Sequence, residues 1–279
     1  MTSRVVLAED GTSLHVRQDG PDDGEAVIMV HGWPDTHQVW SEQVDDLVAA
    51  GYRVIRPDQR GFGASGRPEA VGDYHVFHAM TDLGSIMDAL RVESAHLVGH
   101  DWGAPPCWLA AMMAADRVRS LTAVSVGHPT AFRKAGHRQM ERSYYMLLFQ
   151  FPDVAEQWLS NNDWENFRAM LGRPADVDDK IAALSEPGAL TASLNWYRAN
   201  ASPESLVEPP TKLPPVTVPT LGIMGRNDWA LLPAQMENSA QYIAAEWRYE
   251  LLDAAHWVQT EQPERFNELL LDWLSSNSA

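Results

Sequence analysis

Cysteine is nearly absent. Cys107 stands alone, so the chain cannot close a disulfide on itself, which fits a reducing, cytoplasmic setting. Cations are scarce too: 21 Lys and Arg face 38 Asp and Glu, a formal net charge of −17. Nucleic acid and anionic membranes are recognised by clustered cations, so neither partner is expected. No apolar run reaches the roughly 18 residues that cross a bilayer. The stretch from Met1 to Gly20 holds no long apolar region and turns acidic early, so neither a secretory signal nor an anchor is expected. Internal repeats, low-complexity segments, metal-ligand spacings, a phosphate loop and a dinucleotide Gly-x-Gly-x-x-Gly are all missing. No cofactor and no metal are therefore expected.

What is present is a globular composition, 45% hydrophobic and 21% charged over 279 residues. That suits one sizeable core carrying an insertion. Asp10-Gly11, between Val5–Leu7 and Leu14–Val16, predicts a hairpin. Apolar runs at Ala26–Val30, Tyr52–Ile55, Ala95–Val98 and Leu121–Val126 predict strands. Helical patterns lie between them at Trp40–Ala50, His78–Leu90 and Gly103–Ala115. This alternation predicts a mostly parallel sheet flanked by helices. From Thr130 to Lys212 only helical patterns occur, and a Pro-rich stretch over Glu208–Pro215 closes them. Strands resume at Thr220–Met224 and Arg248–Leu252. A last helix carries Phe266, Leu269, Leu270, Trp273 and Leu274 on one stripe. The expected division is a core over 1–129 and 213–279, with an all-helical lid over 130–212. Such a lid covers the carboxyl ends of the strands, where α/β sheets bind ligands.

The segment Gly99-His100-Asp101-Trp102-Gly103 follows an apolar strand and precedes an apolar helix. Gly-x-nucleophile-x-Gly at that junction pushes the central side chain above the sheet. Here that side chain is a carboxylate, a poor acyl nucleophile. It can attack a saturated carbon bearing a leaving group, and the resulting ester then yields to water. An epoxide or an alkyl halide is the implied substrate. The second step needs a base, and His256 follows the last strand, after the nucleophile in chain order. An acid is expected between them at a strand end, and Asp228 fits; its role is to orient the imidazole. Asp253 competes less well because it sits so near His256 in sequence. Backbone N–H groups of Trp33 and Trp102 are placed to form an oxyanion hole. His31 and His100 flank elbow and loop as structural residues. The Trp33-Pro34 bond is a candidate for the cis form.

Taken together these residues resemble the α/β-hydrolase fold family, and more narrowly the soluble epoxide hydrolases, over nearly the whole chain. The resemblance rests on His31-Gly32-Trp33-Pro34, on Asp58-Gln59-Arg60-Gly61-Phe62-Gly63-Ala64-Ser65, on Gly99–Gly103 and on Ala255-His256-Trp257. Two lid segments add to it: Tyr144-Tyr145 ahead of Phe149-Gln150, and Asn195-Trp196-Tyr197-Arg198. The resemblance implies that Tyr145 and Tyr197 donate hydrogen bonds to an epoxide oxygen. It also implies no cofactor. Asp-Trp-Gly is shared with haloalkane dehalogenases, whose leaving halide needs no proton, so the lid tyrosines separate the two chemistries. Pro105-Pro106 departs from the family pattern, but the first turn of a helix tolerates missing N–H groups.

Eleven tryptophans are present, and Trp33, Trp102, Trp196 and Trp257 are expected to wall a site for an apolar or aromatic epoxide. The expected function is thus an epoxide hydrolase working through Asp101, His256, Asp228, Tyr145 and Tyr197. The alternatives are a haloalkane dehalogenase and a non-catalytic ligand-binding member of the fold. The sequence leaves monomer and homodimer both open.

Overall fold

A computed structural model describes residues 2–172, 174–208 and 211–278. Eight strands form one sheet: β1 (Thr2–Leu7), β2 (Ser13–Asp19), β3 (Ala26–Val30), β4 (Arg53–Pro57), β5 (Ala95–His100), β6 (Val118–Val124), β7 (Thr220–Gly225) and β8 (Trp247–Leu252). Their order is β1-β2-β4-β3-β5-β6-β7-β8. β2 pairs antiparallel with both β1 and β4, and the pairs from β4 through β8 are parallel. β3, β4, β5 and β7 are buried along their whole length. That explains why β3, β5 and β7 read as largely apolar runs and not as alternating ones; in β4 the buried Arg53 and Arg56 are partnered by Gln18 and Asp19.

Core helices α1 (Ser41–Ala49), α2 (Val76–Leu90) and α3 (Ala104–Met113) follow β3, β4 and β5. Among the described residues six α-helices stand between β6 and β7: α4 (Pro129–Arg133), α5 (His137–Arg142), α6 (Tyr144–Leu148), α7 (Val154–Leu171), α8 (Val177–Ser185) and α9 (Ala189–Asn200). Within 130–212 the described residues contain no strand; this segment is called the cap below. α7 is interrupted where Asn162, Asp163 and Trp164 turn left-handed. α10 (Pro233–Glu237), α11 (Val258–Glu261) and α12 (Pro263–Ser276) complete the chain. The stripe of α12 is buried as expected, and each large side chain so covered contributes roughly 1.5–3 kcal/mol.

The Pro-rich close of the cap falls in part on Pro209 and Pro210, which lie outside the described residues. The strand expected over Leu121–Val126 starts earlier and stops at Val124. Ser125 ends it with a left-handed φ of 65°, and its hydroxyl donates to the carbonyl of His256 at 2.7 Å.

The Asp58–Ser65 loop is built by its own charges. Both oxygens of Asp58 accept hydrogen bonds, from the His37 and Ala64 amides and from the imidazoles of His15 and His37. Arg60, 1% exposed, forms a two-pronged pair with Asp82 at 2.6 and 2.8 Å and also reaches Asp10. The loop fixed in this way receives the cap: Trp196 donates its indole N–H to the Arg60 carbonyl at 3.1 Å. A second seam is ionic. Lys180 of α8 pairs with the buried carboxylate of Asp35, which also accepts the indole N–H of Trp257 at 2.8 Å.

Candidate active site

β5 ends at His100, and Asp101 takes a left-handed φ of 49°, a conformation that non-glycine residues seldom hold. Such strain persists where the surroundings fix it. They do so here by close approach. A Cβ on Gly103 would collide with the Val30 carbonyl, and one on Gly32 would collide with the Asp101 side chain. α3 begins immediately beyond, with Pro105 and Pro106 in its first turn, where their missing N–H groups go unneeded.

Asp101 Oδ1 accepts the Trp33 backbone N–H at 2.7 Å. The Trp33-Pro34 peptide is cis. Asp101 Oδ2 lies 3.5 Å from His256 Nε2, and His256 Nδ1 lies 2.8 Å from Asp228 Oδ2. The other oxygen of Asp228 accepts the N–H groups of Ala230 and Leu231 at 2.8 and 3.0 Å. The structure thus brings Asp101, His256 and Asp228 into one line of charged and hydrogen-bonded contacts, each arriving from the end of a different strand. Asp253 stays outside it, accepting from Asn227 at the surface.

Burial opposes ionisation of Asp101, but the hydrogen bond and charge of His256, helped by His100 and the Trp102 amide, hold it below the usual carboxylate range. Burial would also lower His256, yet the charge of Asp228 and the hydrogen bonds to Asp101 and Asp228 push it up to about 10. The resting pair is therefore carboxylate and imidazolium. His100 is the opposite case: burial pushes it down to about 4, and its Nε2 meets the His256 carbonyl at 3.0 Å. His31 is likewise lowered by burial, with both ring nitrogens occupied by backbone.

Trp33, Asp101, Tyr145, Tyr197, Trp229, Ala230, His256 and Trp257 line one cavity. The centre of a water molecule has about 10 Å³ there, roughly room for one. Tyr145 is 5% exposed whereas Tyr144 is 55% exposed, so the inward register belongs to Tyr145. Tyr145 and Tyr197 meet edge to face with centroids 5.9 Å apart. Burial, then the negative charge of Asp101, pushes both phenols well above their usual range, so they remain donors.

The tryptophans divide differently from expectation. Trp33 and Trp257 line the cavity, but Trp196 does not. Its ring is fully buried against Phe62 and Trp102, and its N–H serves the Arg60 carbonyl. The Trp102 ring packs edge-on to Tyr197, outside the lining. Trp229 takes that place unforeseen, 5.5 Å from Tyr145 and 6.4 Å from His256 between centroids. Its position directly after Asp228 was the available signal. Among the described residues one group could offer metal ligands, His15, His37 and Asp58. It lies outside the cavity lining, and both imidazoles spend Nδ1 on hydrogen bonds to Asp58. No described helix is long and apolar enough to cross a membrane.

Known proteins share this arrangement of strands and loops. A curated Mycobacterium tuberculosis protein, Epoxide hydrolase A, is 33% identical, with 98% of this chain and 97% of that protein covered. The AB hydrolase superfamily protein YfhM of Bacillus subtilis is 34% identical, with 96% of each covered. The crystal structure of Epoxide Hydrolase A from Mycobacterium thermoresistibile superposes with a TM-score of 0.80 at 28% identity, over 99% of both chains. The alpha/beta hydrolase fold pattern itself matches residues 25–263, from β3 through the loop that carries His256 to the start of α12. By sheet order, elbow and sequence alike, this chain belongs to the α/β-hydrolase fold family.

Proposed function

We propose that this protein is an epoxide hydrolase acting through a covalent Asp101 ester, with the segment 130–212 as its cap. The observation that carries the reading is the convergence of two buried phenols with the Asp101–His256–Asp228 line on one cavity. Relatives that bear the epoxide hydrolase name over nearly the full chain support it. Two protonated donors suit an epoxide, whose opening leaves an alkoxide; a departing halide needs no proton.

Asp101 Oδ2 bonds to a ring carbon while the carbon–oxygen bond of the epoxide breaks. The electron pair passes to the epoxide oxygen, which takes a proton from a phenol. The phenolate regains one from the His256 imidazolium. Oδ1 remains as the ester carbonyl, already held by the Trp33 N–H. Once Asp101 is esterified its charge is gone, and neutral His256, oriented by Asp228, acts as base. It removes a proton from water, and the hydroxide adds to the ester carbonyl. The Trp33 and Trp102 N–H groups stabilise the tetrahedral oxyanion. Collapse returns the Asp101 carboxylate, and the diol leaves with the proton of the added hydroxyl. His256 keeps the proton taken from water, which restores the resting pair.

The cavity wall of Trp33, Trp229 and Trp257 supports an apolar substrate. The single buried thiol supports a cytoplasmic setting. For a homodimer, the support is the exposed apolar series Met140, Tyr144, Leu147, Phe151 and Val154 on the cap.

A single turnover of excess enzyme with an aryl epoxide in ¹⁸O-water tests the mechanism. The expected result is label in the Asp101 peptide and an unlabelled diol. Label confined to the diol would mean direct attack by water. Halide release from haloalkanes without diol formation would favour a dehalogenase. Tight binding with no ester would favour a ligand-binding member of the fold.

A further inference from the structure

We propose that Gln139 of the cap is a positioning residue for the triad: its amide clamps the loop that carries Asp228, so the acid is aligned only while the cap is seated. The inference rests on the hydrolase reading above.

Gln139 lies in α5 and is 3% exposed. Its Nε2 donates to the Ala230 carbonyl at 2.8 Å, and its Oε1 accepts the Leu232 N–H at 2.8 Å. One side-chain amide thus pairs with a carbonyl and an N–H two residues apart, as a neighbouring strand would. These groups belong to the turn whose Ala230 and Leu231 N–H groups grip Asp228 Oδ1. Gln139 is therefore one short backbone step from the carboxylate that orients His256. Arg142, one turn further along α5, donates to the Asp228 carbonyl itself. Three residues beyond Arg142 stands Tyr145.

One stretch of the cap therefore supplies a phenol for ring opening and a clamp for ester hydrolysis. If the cap lifts, Ala230 and Leu232 lose their partners and the turn loses its template. Leaving buried polar groups unpaired is costly, so the aligned acid and the seated cap form one cooperative state. Cap seating then gates the second half-reaction as well as the first.

The effect should pass through the basicity of His256. The titratable and charged groups around that imidazole are Asp228 with Arg142 on its carbonyl, Asp101, His100 at 4.8 Å between centroids, Tyr145 and Tyr197 across the cavity, Asp35 beside Trp257 with its partner Lys180, and Glu261, which accepts the Ala255 and Trp257 amides. Removing the Gln139 amide leaves all of these in place; besides the clamp it takes a hydrogen bond from Ser143 Oγ, which still reaches the Ala230 carbonyl at 3.4 Å. A less well oriented Asp228 stabilises the imidazolium less.

The test compares wild type, Gln139→Ala and the volume-preserving Gln139→Leu in single turnovers of an aryl epoxide across pH. Quenched mass spectrometry follows the ester, and proton NMR of the free enzyme follows the downfield His256 Nδ1–H. Alkylation should hold within about twofold, whereas ester hydrolysis should slow by about tenfold, the order expected when the two clamp hydrogen bonds are lost and their buried partners are left unpaired. The acid limb of the hydrolysis step should move to lower pH, and the Nδ1–H resonance should shift or broaden. Equal slowing of both steps with the limb unmoved would overturn the clamp, as would no slowing at all. Absence of any ester in wild type would sink the hydrolase reading. In that case an unmoved Nδ1–H resonance in both variants would overturn the clamp, and a moved one would uphold it.

Discussion

His256 Nε2 stands 3.5 Å from Asp101 Oδ2, near enough to hold both groups charged but not in an ideal hydrogen bond. The nucleophile and the base of the proposed cycle thus keep each other in reserve. His256→Gln should leave Asp101 able to attack and remove the base for the second step. Diol formation should fall by about 10²–10⁴, with the alkyl-enzyme accumulating as a mass increment on the intact protein. Loss of turnover without that increment would mean that ring opening cannot proceed without the proton His256 supplies.

The same pairing predicts a pH dependence of stability. The His256 pKa is raised from 6.5 to about 10 in the folded protein. The stabilisation it provides is full below pH 6.5 and is lost as pH rises through about 10. Urea unfolding of wild type and His256→Gln should therefore show a stability gap that narrows from pH 6.5 towards 10. A gap constant across that range would contradict the assigned charge state.

Tyr145→Phe and Tyr197→Phe should each slow ester formation, by about 10²–10³ for the loss of one preorganised donor. The hydrolysis of ester already formed should be spared. The double variant should lose nearly all alkylation. Rapid-quench rates for the two steps would show it, and full epoxide turnover by the double variant would refute the tyrosine assignment.

Lys180 reaches across from the cap to Asp35, a carboxylate 3% exposed. Lys180→Met would strand that charge, at a cost of about 3–5 kcal/mol. Adding Asp35→Asn should restore much of the loss, because an amide oxygen can still accept the Trp257 N–H. Denaturation midpoints of the single and double variants decide the matter. Equal destabilisation in both would mean that packing of the lysine stem, not its charge, joins cap to core.

How much of this was legible in the chain depends on distance along it. The strands around Ile28, Leu97 and Ile223 announce themselves because full burial writes a continuous apolar run. Asp101 and Asp228 can be located because each lies just past such a run, and His256 because it follows the last strand, in the chain order the fold imposes. Tyr145 could be separated from Tyr144 only by counting from a resembling segment, and the structure buries the first and exposes the second. Contacts without local pattern were invisible. Gln139 meets Leu232 across 93 residues, and Lys180 meets Asp35 across 145. Neither glutamine nor lysine in a surface-like helix signals burial. Trp196 misled for a related reason: an aromatic next to a site tyrosine looks like a wall, but successive helical residues point about 100° apart, and its neighbour took the cavity.

A site with room for about one water makes the closed form a poor receptor. An epoxide much larger than a water would need room beside Asp101 that rotation of Trp229, or lifting of the cap from Asp35 and Arg60, would supply. If binding draws on an opened form, the measured affinity is the intrinsic one scaled down by the open fraction. Association would be paced by how often the protein breathes, and two epoxides of equal reactivity would be ranked by the opening each requires.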